Sequence, residues 1–327
     1  MFLARTAGAA GPLTGYDAAS LGRRFELPGG IRAADGSAYY AMGAGELRRF
    51  NPSTGVELET YPVDGSWKLA GVSSTGRWVA LTRGQTEVLV LDAESGATAH
   101  KLSLRGTFLV ETVSADGDFL FLQQNYVDGS YAVRGYDLAA GQMLPGSLAT
   151  KGNTVLMEGV AAGTVASPDG RWLLTLYVDT KKKRAFVHAL NLIDRIPLCI
   201  EMPPCNRCTV AQLRRWALAL APDGRTLFAA NPDVGRIAEI HLPTARLIYQ
   251  ARFSPLPGAS ETRAAVAPNG GRLVFTNGEA VWSYDTHRGY AERLHTDGVS
   301  IADLGISKDG SKLFLARLGA APIALQL

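Results

Sequence analysis

Cysteine is almost missing from this sequence. Three occur in 327 residues, all inside the ten-residue run CIEMPPCNRC, Cys199 to Cys208. That excludes a scaffold stapled along its length, and it confines whatever cysteine does to one place. No apolar run approaches the ~20 residues of a membrane-spanning helix. Charge of one sign is not in excess either. The formal net charge is +3, which gives no reason to expect a nucleic-acid partner. The opening MFLARTAGAAGPLTGYD has too short an apolar part, and turns polar too soon, for a secretory leader. The expected location is therefore cytoplasmic, or extracytoplasmic if a leader has been removed. The common enzyme signatures are missing as well: Gly-x-Ser-x-Gly, His-Glu-x-x-His, a phosphate loop and a dinucleotide fingerprint. The Cys-x-x-Cys-Thr at Cys205 lacks the His that covalent haem attachment needs.

What is present is glycine, 36 residues of it, much of it in turn pairs spaced along the chain. Asp35-Gly36, Thr75-Gly76, Asp116-Gly117, Asp169-Gly170, Asp223-Gly224, Asn269-Gly270 and Asp309-Gly310 each separate a small-apolar strand from an aromatic and aliphatic one. Such pairs reach positive φ cheaply, as tight hairpins require. A second marker alternates with these turns: Tyr16-Asp17, Phe50-Asn51, Leu91-Asp92, Tyr136-Asp137, Leu190-Asn191, Ile240-His241 and Tyr284-Asp285. Each unit therefore reads as four strands, A to D, with the A–B and C–D corners marked. The period, roughly 40 to 54 residues, is that of propeller blades.

The chain opens with an unmatched C–D corner and closes with an unmatched A–B corner. The expectation is an all-β, seven-bladed β-propeller, one domain over residues 1–327. Its ring is closed by terminal strands from about 1–28 and 299–327 sharing one blade. MFLARTAGAAGPL near the start resembles LFLARLGAAPIAL at the end, and an eight-bladed ring is the second choice.

The units SPDGRWLLTLYV and APDGRTLFAAN…GRIAEIHLPTARL resemble the YVTN-type and WD-like propeller repeats of bacteria. The likeness covers nearly the whole chain, although the Gly-His start and Trp-Asp end of true WD repeats are absent. It implies a propeller fold without naming a partner. The extracytoplasmic habit of many such proteins is implied in the same way.

Propeller topology puts B–C and D–A loops on one face, and the length variation lies on that face. The longest B–C segments are QQNYVDGSYAV and LYVDTKKKRAFVH, and the longest D–A connection, IEMPPCNRCTVAQLRR, follows the second. Loops on a rigid scaffold are where binding concentrates. The expectation is a non-catalytic binding or protein-interaction module. Its candidate contacts are Lys181, Lys182, Lys183 and Arg184, with Arg207, Arg214, Arg215, Tyr126, Tyr131 and Trp216 around them. The expected partner is a protein or a small acidic ligand. A solvated charge cluster is the plainer reading of the lysines, and Trp216 reads equally well as core.

The cysteines have two functional readings. Cys199 paired with Cys205 or Cys208 would staple the proline-rich loop, leaving one thiol and implying an oxidising compartment. Alternatively, spacing about the turn at Ile193-Asp194 sets His188 across from Cys199, so His188, Cys199, Cys205 and Cys208 could hold zinc. Otherwise no cofactor is expected. The alternative function is a channel-mouth hydrolase, lactonase or lyase built on inner-strand residues such as Glu111, Arg263 and Asp303.

Overall fold

The computed structural model describes residues 1–5, 11–148, 156–258, 261–296 and 298–327. Each Asp-Gly or Asn-Gly turn folds as its chemistry dictates. Six of the seven turns have a side-chain oxygen of the Asp or Asn accepting the backbone N–H two residues on, at 2.8–3.1 Å. The following glycine has φ between 65° and 83° in all seven, a region that costs other residues strain. Serines at the turn entrances add a second lock. The hydroxyls of Ser73, Ser114, Ser167 and Ser307 accept the N–H five residues later, at 2.7–3.0 Å.

The hairpins assemble into antiparallel sheets, and the described residues form eight of them. Blades 2 to 7 begin at Gly30, Lys68, Thr107, Val160, Ala217 and Arg263, and each has strands in simple up-and-down order. Blade 1, residues 2–27, and blade 8, residues 301–326, have three strands each. At six of the eight junctions the first strand of one blade packs beside the first strand of the next, which makes these the inner strands around the channel.

The seven-bladed expectation is therefore corrected to eight, and the shared closing blade is replaced by two separate sheets. Strand Arg23–Leu27 lies in blade 1, and its ladder does not include residues 301–317. The sequence markers count seven corners of each type for either ring. What tips the count is the short strand Phe2–Arg5, which pairs with Leu13–Tyr16 instead of completing blade 8. Of the duplicated MFLARTAGAAGPL, residues 6–10 lie outside the described residues.

Closure is made by side chains. Phe2 stacks on Phe314 with ring centroids 5.4 Å apart. The Arg5 backbone N–H donates to Asp303 at 2.8 Å, and its guanidinium donates to the Gly30 carbonyl of blade 2 at 2.8 Å. The core is divided accordingly. Among the described residues there are eight hydrophobic clusters, one in each seam between neighbouring blades. Among the described residues no helix is long and apolar enough to cross a membrane.

Candidate functional site

Blade 5 positions the site, because strand alternation gives its two faces different chemistry. Trp172, Leu174, Leu176 and Val178 of the second strand point toward blade 6, as do Val187 and Ala189 of the third and Ile200 of the fourth. The intervening residues Tyr177, Phe186 and Leu190 point toward blade 4. The ladder pairs His188 with Thr175 on one side and Cys199 on the other, so these share the blade 4 face. The sequence spacing predicts that His188–Cys199 pair.

Blade 4 contributes an interruption. Its fourth strand comes in two pieces, Gln142–Met143 and Met157–Glu158, which pair with opposite ends of Ser130–Asp137. After the first piece, Leu144 and Leu148 still donate to the Gly135 and Val133 carbonyls, and beside Met157–Glu158 a cleft of about 340 Å³ opens on the loop face. Leu156, Met157 and Phe186 supply its apolar surface, and Cys199 and Ser130 reach it as well. Asp128, Glu158, Lys182, Arg184 and Glu201 give it charge.

The charges pair internally. Lys181 lies 3.3 Å from Glu158, and Lys182 lies 3.7 Å from both Glu158 and Asp179. Arg184 bridges Asp179 at 3.5 Å and Glu201 at 2.6 Å. Asp179 is the buried centre of this network, with its side chain 1% exposed. Burial works to raise its carboxyl, but the Lys182 N–H and the Lys182 and Arg184 charges outweigh that, and the carboxyl titrates below its usual range. Lys183 sits at the turn with φ 50° and is exposed. The KKKR run is thus largely a neutralised network. Glu158, Asp179 and Glu201, the residues that neutralise it, went unnoticed in the sequence. Asp179 could have been found, since it opens the turn that the lysines complete.

The other candidates separate. Tyr126 lies at the neighbouring hairpin, half-buried, its hydroxyl donating to Gln124 at 3.2 Å. Tyr131 is buried in the seam between blades 4 and 5. Arg207 and Arg214 are exposed. Arg215 is drawn away, 2.8 Å from Asp233 and donating to the Asn277 carbonyl at 3.1 Å, which ties the connection to blades 6 and 7. Trp216 is core, buried against blade 6. It follows the one-turn helix Val210–Leu213, whose start is fixed by a capping box between Thr209 and Gln212.

The cysteine pairing also differs from expectation. Cys205 and Cys208 stand at disulfide distance, with Cα atoms 5.4 Å apart, and Cys199 is the free thiol. The reason is alternation. Cys199 faces blade 4, whereas Met202, Cys205 and Cys208 pack into the cluster facing blade 6. A sheet separates them, and this also divides the set His188, Cys199, Cys205 and Cys208 proposed for zinc. Among the described residues no group of three or more His, Cys, Asp or Glu side chains converges on a metal position. Burial and Glu201 push the Cys199 thiol up, with Arg184 opposing.

In the channel, Arg263 and Asp303 are neighbours, 4.0 Å apart on blades 7 and 8, and Arg263 also pairs with Glu261. Burial raises the Asp303 carboxyl, and the Arg5 N–H and Arg263 work against it. Glu111 belongs to blade 4, half the ring away. Burial pushes its carboxyl up to about 7, with the Tyr177 hydroxyl opposing. A larger cleft of about 600 Å³ lies between blades 5 and 6 on the opposite face, formed by regular repeat turns at Asp169, Asp194 and Asp223.

Comparison with known proteins decides the fold. Neither a protein-family model nor a curated protein matches the chain. Among solved structures, hydrazine synthase of Kuenenia stuttgartiensis aligns over 96% of this chain and 99% of that one, at 14% identity and a TM-score of 0.50. The fold is a β-propeller. At that identity the likeness extends to the fold alone.

Proposed function

We propose that the protein is a non-catalytic binding module, with residues 1–327 as one working unit, whose partner seats in the loop-face cleft between blades 4 and 5. The observation that carries this is the cleft itself, formed where a regular repeat is broken by a split strand and flanked by the long hairpins. Its rim bears both charge signs over an apolar floor. An incoming group must exchange for internal ion pairs, which favours a partner carrying both signs beside an apolar residue, such as a segment of protein chain, over a purely acidic ligand. The YVTN-type and WD-like resemblance is compatible with a binding role. The Cys205–Cys208 pair favours an oxidising, extracytoplasmic compartment.

A channel-mouth enzyme is the second reading, favoured by the titration of Glu111 near neutrality. Against it, Glu111 stands half a ring from Arg263 and Asp303, so the three do not form one site.

The test is capture of partners by immobilised wild type and by Cys199→Trp, which fills the cleft from an exposed position. Partners retained by wild type and lost by the variant support the cleft. Equal capture by both moves the site elsewhere on the ring.

A further inference from the structure

Blade 8 has one strand fewer than blade 7 beside it. Among the described residues its outermost strand is its third, Ala320–Gln326, which pairs inward with Lys312–Arg317 and has no partner on its outer side. In blade 7 a fourth strand, Tyr290–Thr296, covers the third. The open edge is also unguarded. Charged side chains on an outermost strand deter pairing with another chain. The outermost strand of every other blade carries at least one, from Arg23, Arg24 and Glu26 in blade 1 to Glu292 and Arg293 in blade 7. The strand AAPIALQ of blade 8 has none.

The ladder fixes which backbone groups face outward. The Leu327 N–H donates to the Ser311 carbonyl at 2.9 Å. Along an antiparallel pair, bonded residues alternate with unbonded ones. Leu325 and Ile323 therefore turn their N–H and C=O groups inward, to Leu313 and Leu315, while Ala324 and Gln326 turn theirs outward. These two residues offer donors and acceptors at the spacing that an incoming antiparallel strand matches. Pro322 has no N–H and ends the row of free donors on its side.

Side chains build a wall beside this edge. Ile323, Leu325 and Leu327 point toward blade 7, and Leu294 of the blade 7 fourth strand packs against the same cluster. Tyr290 and Glu292 pair with Asp285 and Ser283. The alternate residues Trp282 and Tyr284 point toward blade 6, so Tyr290 and Glu292 face blade 8. Tyr290 is 64% exposed, with no fourth strand of blade 8 to cover it. Glu292 is exposed and has no ion-pair partner among the described residues.

We propose that this edge is a docking site for an extended segment of a partner protein, which adds to blade 8 as its fourth strand. Backbone bonds to Ala324 and Gln326 give such a segment affinity, and its alternate side chains give it specificity. Blades 2, 3, 5, 6 and 7 show what the position accepts, one strand antiparallel to the third. Incoming residues opposite Ile323, Leu325 and Leu327 point at the blade 7 wall. Tyr290, Glu292 and Leu294 succeed one another along that wall, so the matching face is apolar, basic, apolar. A second copy of this chain fits worse. Its own open edge brings no basic residue to Glu292, and it would have to push a whole rim into a recess about 4.8 Å deep, one inter-strand spacing. The site lies across the ring from the cleft between blades 4 and 5 and does not depend on it.

The probe is a fluorescently labelled peptide, Thr-Val-Thr-Lys-Thr-Val-Thr, which presents valine, lysine and valine on one side when extended. Anisotropy should show saturable binding with a Kd below about 1 mM. N-methylation of its threonines removes the pairing donors and should abolish binding. Ala324→Pro removes one outward donor, leaves the ladder to Lys312–Arg317 in place and should weaken binding by roughly ten-fold. Glu292→Lys, at an exposed position that the fold does not need, should reverse the preference, so that the same peptide with glutamate in place of lysine binds better. No saturable binding by wild type, equal binding of the N-methylated peptide, equal binding by Ala324→Pro, or an unchanged preference in Glu292→Lys overturns the proposal. A dimer in sedimentation that Ala324→Pro converts to monomers overturns it too, since a second copy then holds the edge.

Discussion

The two faces of blade 5 are built from the same strands and do opposite things. Toward blade 6, Trp172, Leu174, Leu176, Val187 and Ile200 meet Leu213 and Trp216 in an apolar layer. Toward blade 4, Tyr177 donates to Gln123 and stacks on Tyr131, and His188 meets the Tyr177 ring edge-on. The first seam is held by volume, which does not depend on the protonation of any group. The second is held partly by direction, by which atom donates and which accepts, as where the Tyr177 hydroxyl donates to Gln123. A ring of blades needs its seams only to pack. Here one face of a sheet satisfies that need and the other is free to carry chemistry.

The largest expected break in this contrast is Leu174→Ala, at a fully buried position in the blade 6 seam. It should cost about 2–5 kcal/mol through cavity formation, and urea denaturation should give the same loss in mildly acid and mildly alkaline buffer. Glu111→Gln comes next and is pH-dependent. The folded carboxyl titrates near 7, above the 4.5 of a free glutamate. The folded state therefore keeps a proton that the unfolded chain releases. Wild type should lose stability as pH rises from about 4.5 to about 7, by on the order of 3 kcal/mol at most, and stay level above that. The Gln variant should show no such slope, which paired denaturation series would reveal.

Returning to the blade 6 side, Cys205→Ser should lower stability by no more than about 2 kcal/mol, because the loop it closes is short. Denatured, unreduced wild type should titrate with one free thiol, that of Cys199. On the blade 4 side, Arg184→Ser should cost about 1 kcal/mol by weakening the support of buried Asp179, while backbone N–H groups and Lys182 still hold it. Lys183→Ser, at the same turn but exposed, should stay within about 0.5 kcal/mol. Equal effects of these two substitutions would show that the charges are decoration and not a network.

The hairpins, their corners and the loop-bearing face were legible because Asp-Gly turns and strand alternation are local. The blade count was not. A shared four-stranded blade and two three-stranded ones leave the same corners in the sequence, and the choice rests on how Phe2–Arg5 packs. The cysteine pairing was within reach. Once His188 is set across from Cys199, alternation puts that thiol on the face away from the rest of its loop. The cleft was legible as a region, through the long hairpins and KKKR. Its charge balance was not, since Glu158 comes from the second piece of a split strand in blade 4. The polarity of the hydrogen bonds around Tyr177 depends on which way one amide points, which no residue pattern records.

Blades 1 and 8 meet in the way the other neighbours do, side chain against side chain with no shared ladder. Covalent order is therefore not what holds the circle together. If the backbone were cut in a connection between two other blades, the two pieces would each present a complementary pair of seams, like halves of a broken bracelet. Mixed together, such halves should find each other, and the reunited circle would differ from the parent by one missing peptide bond.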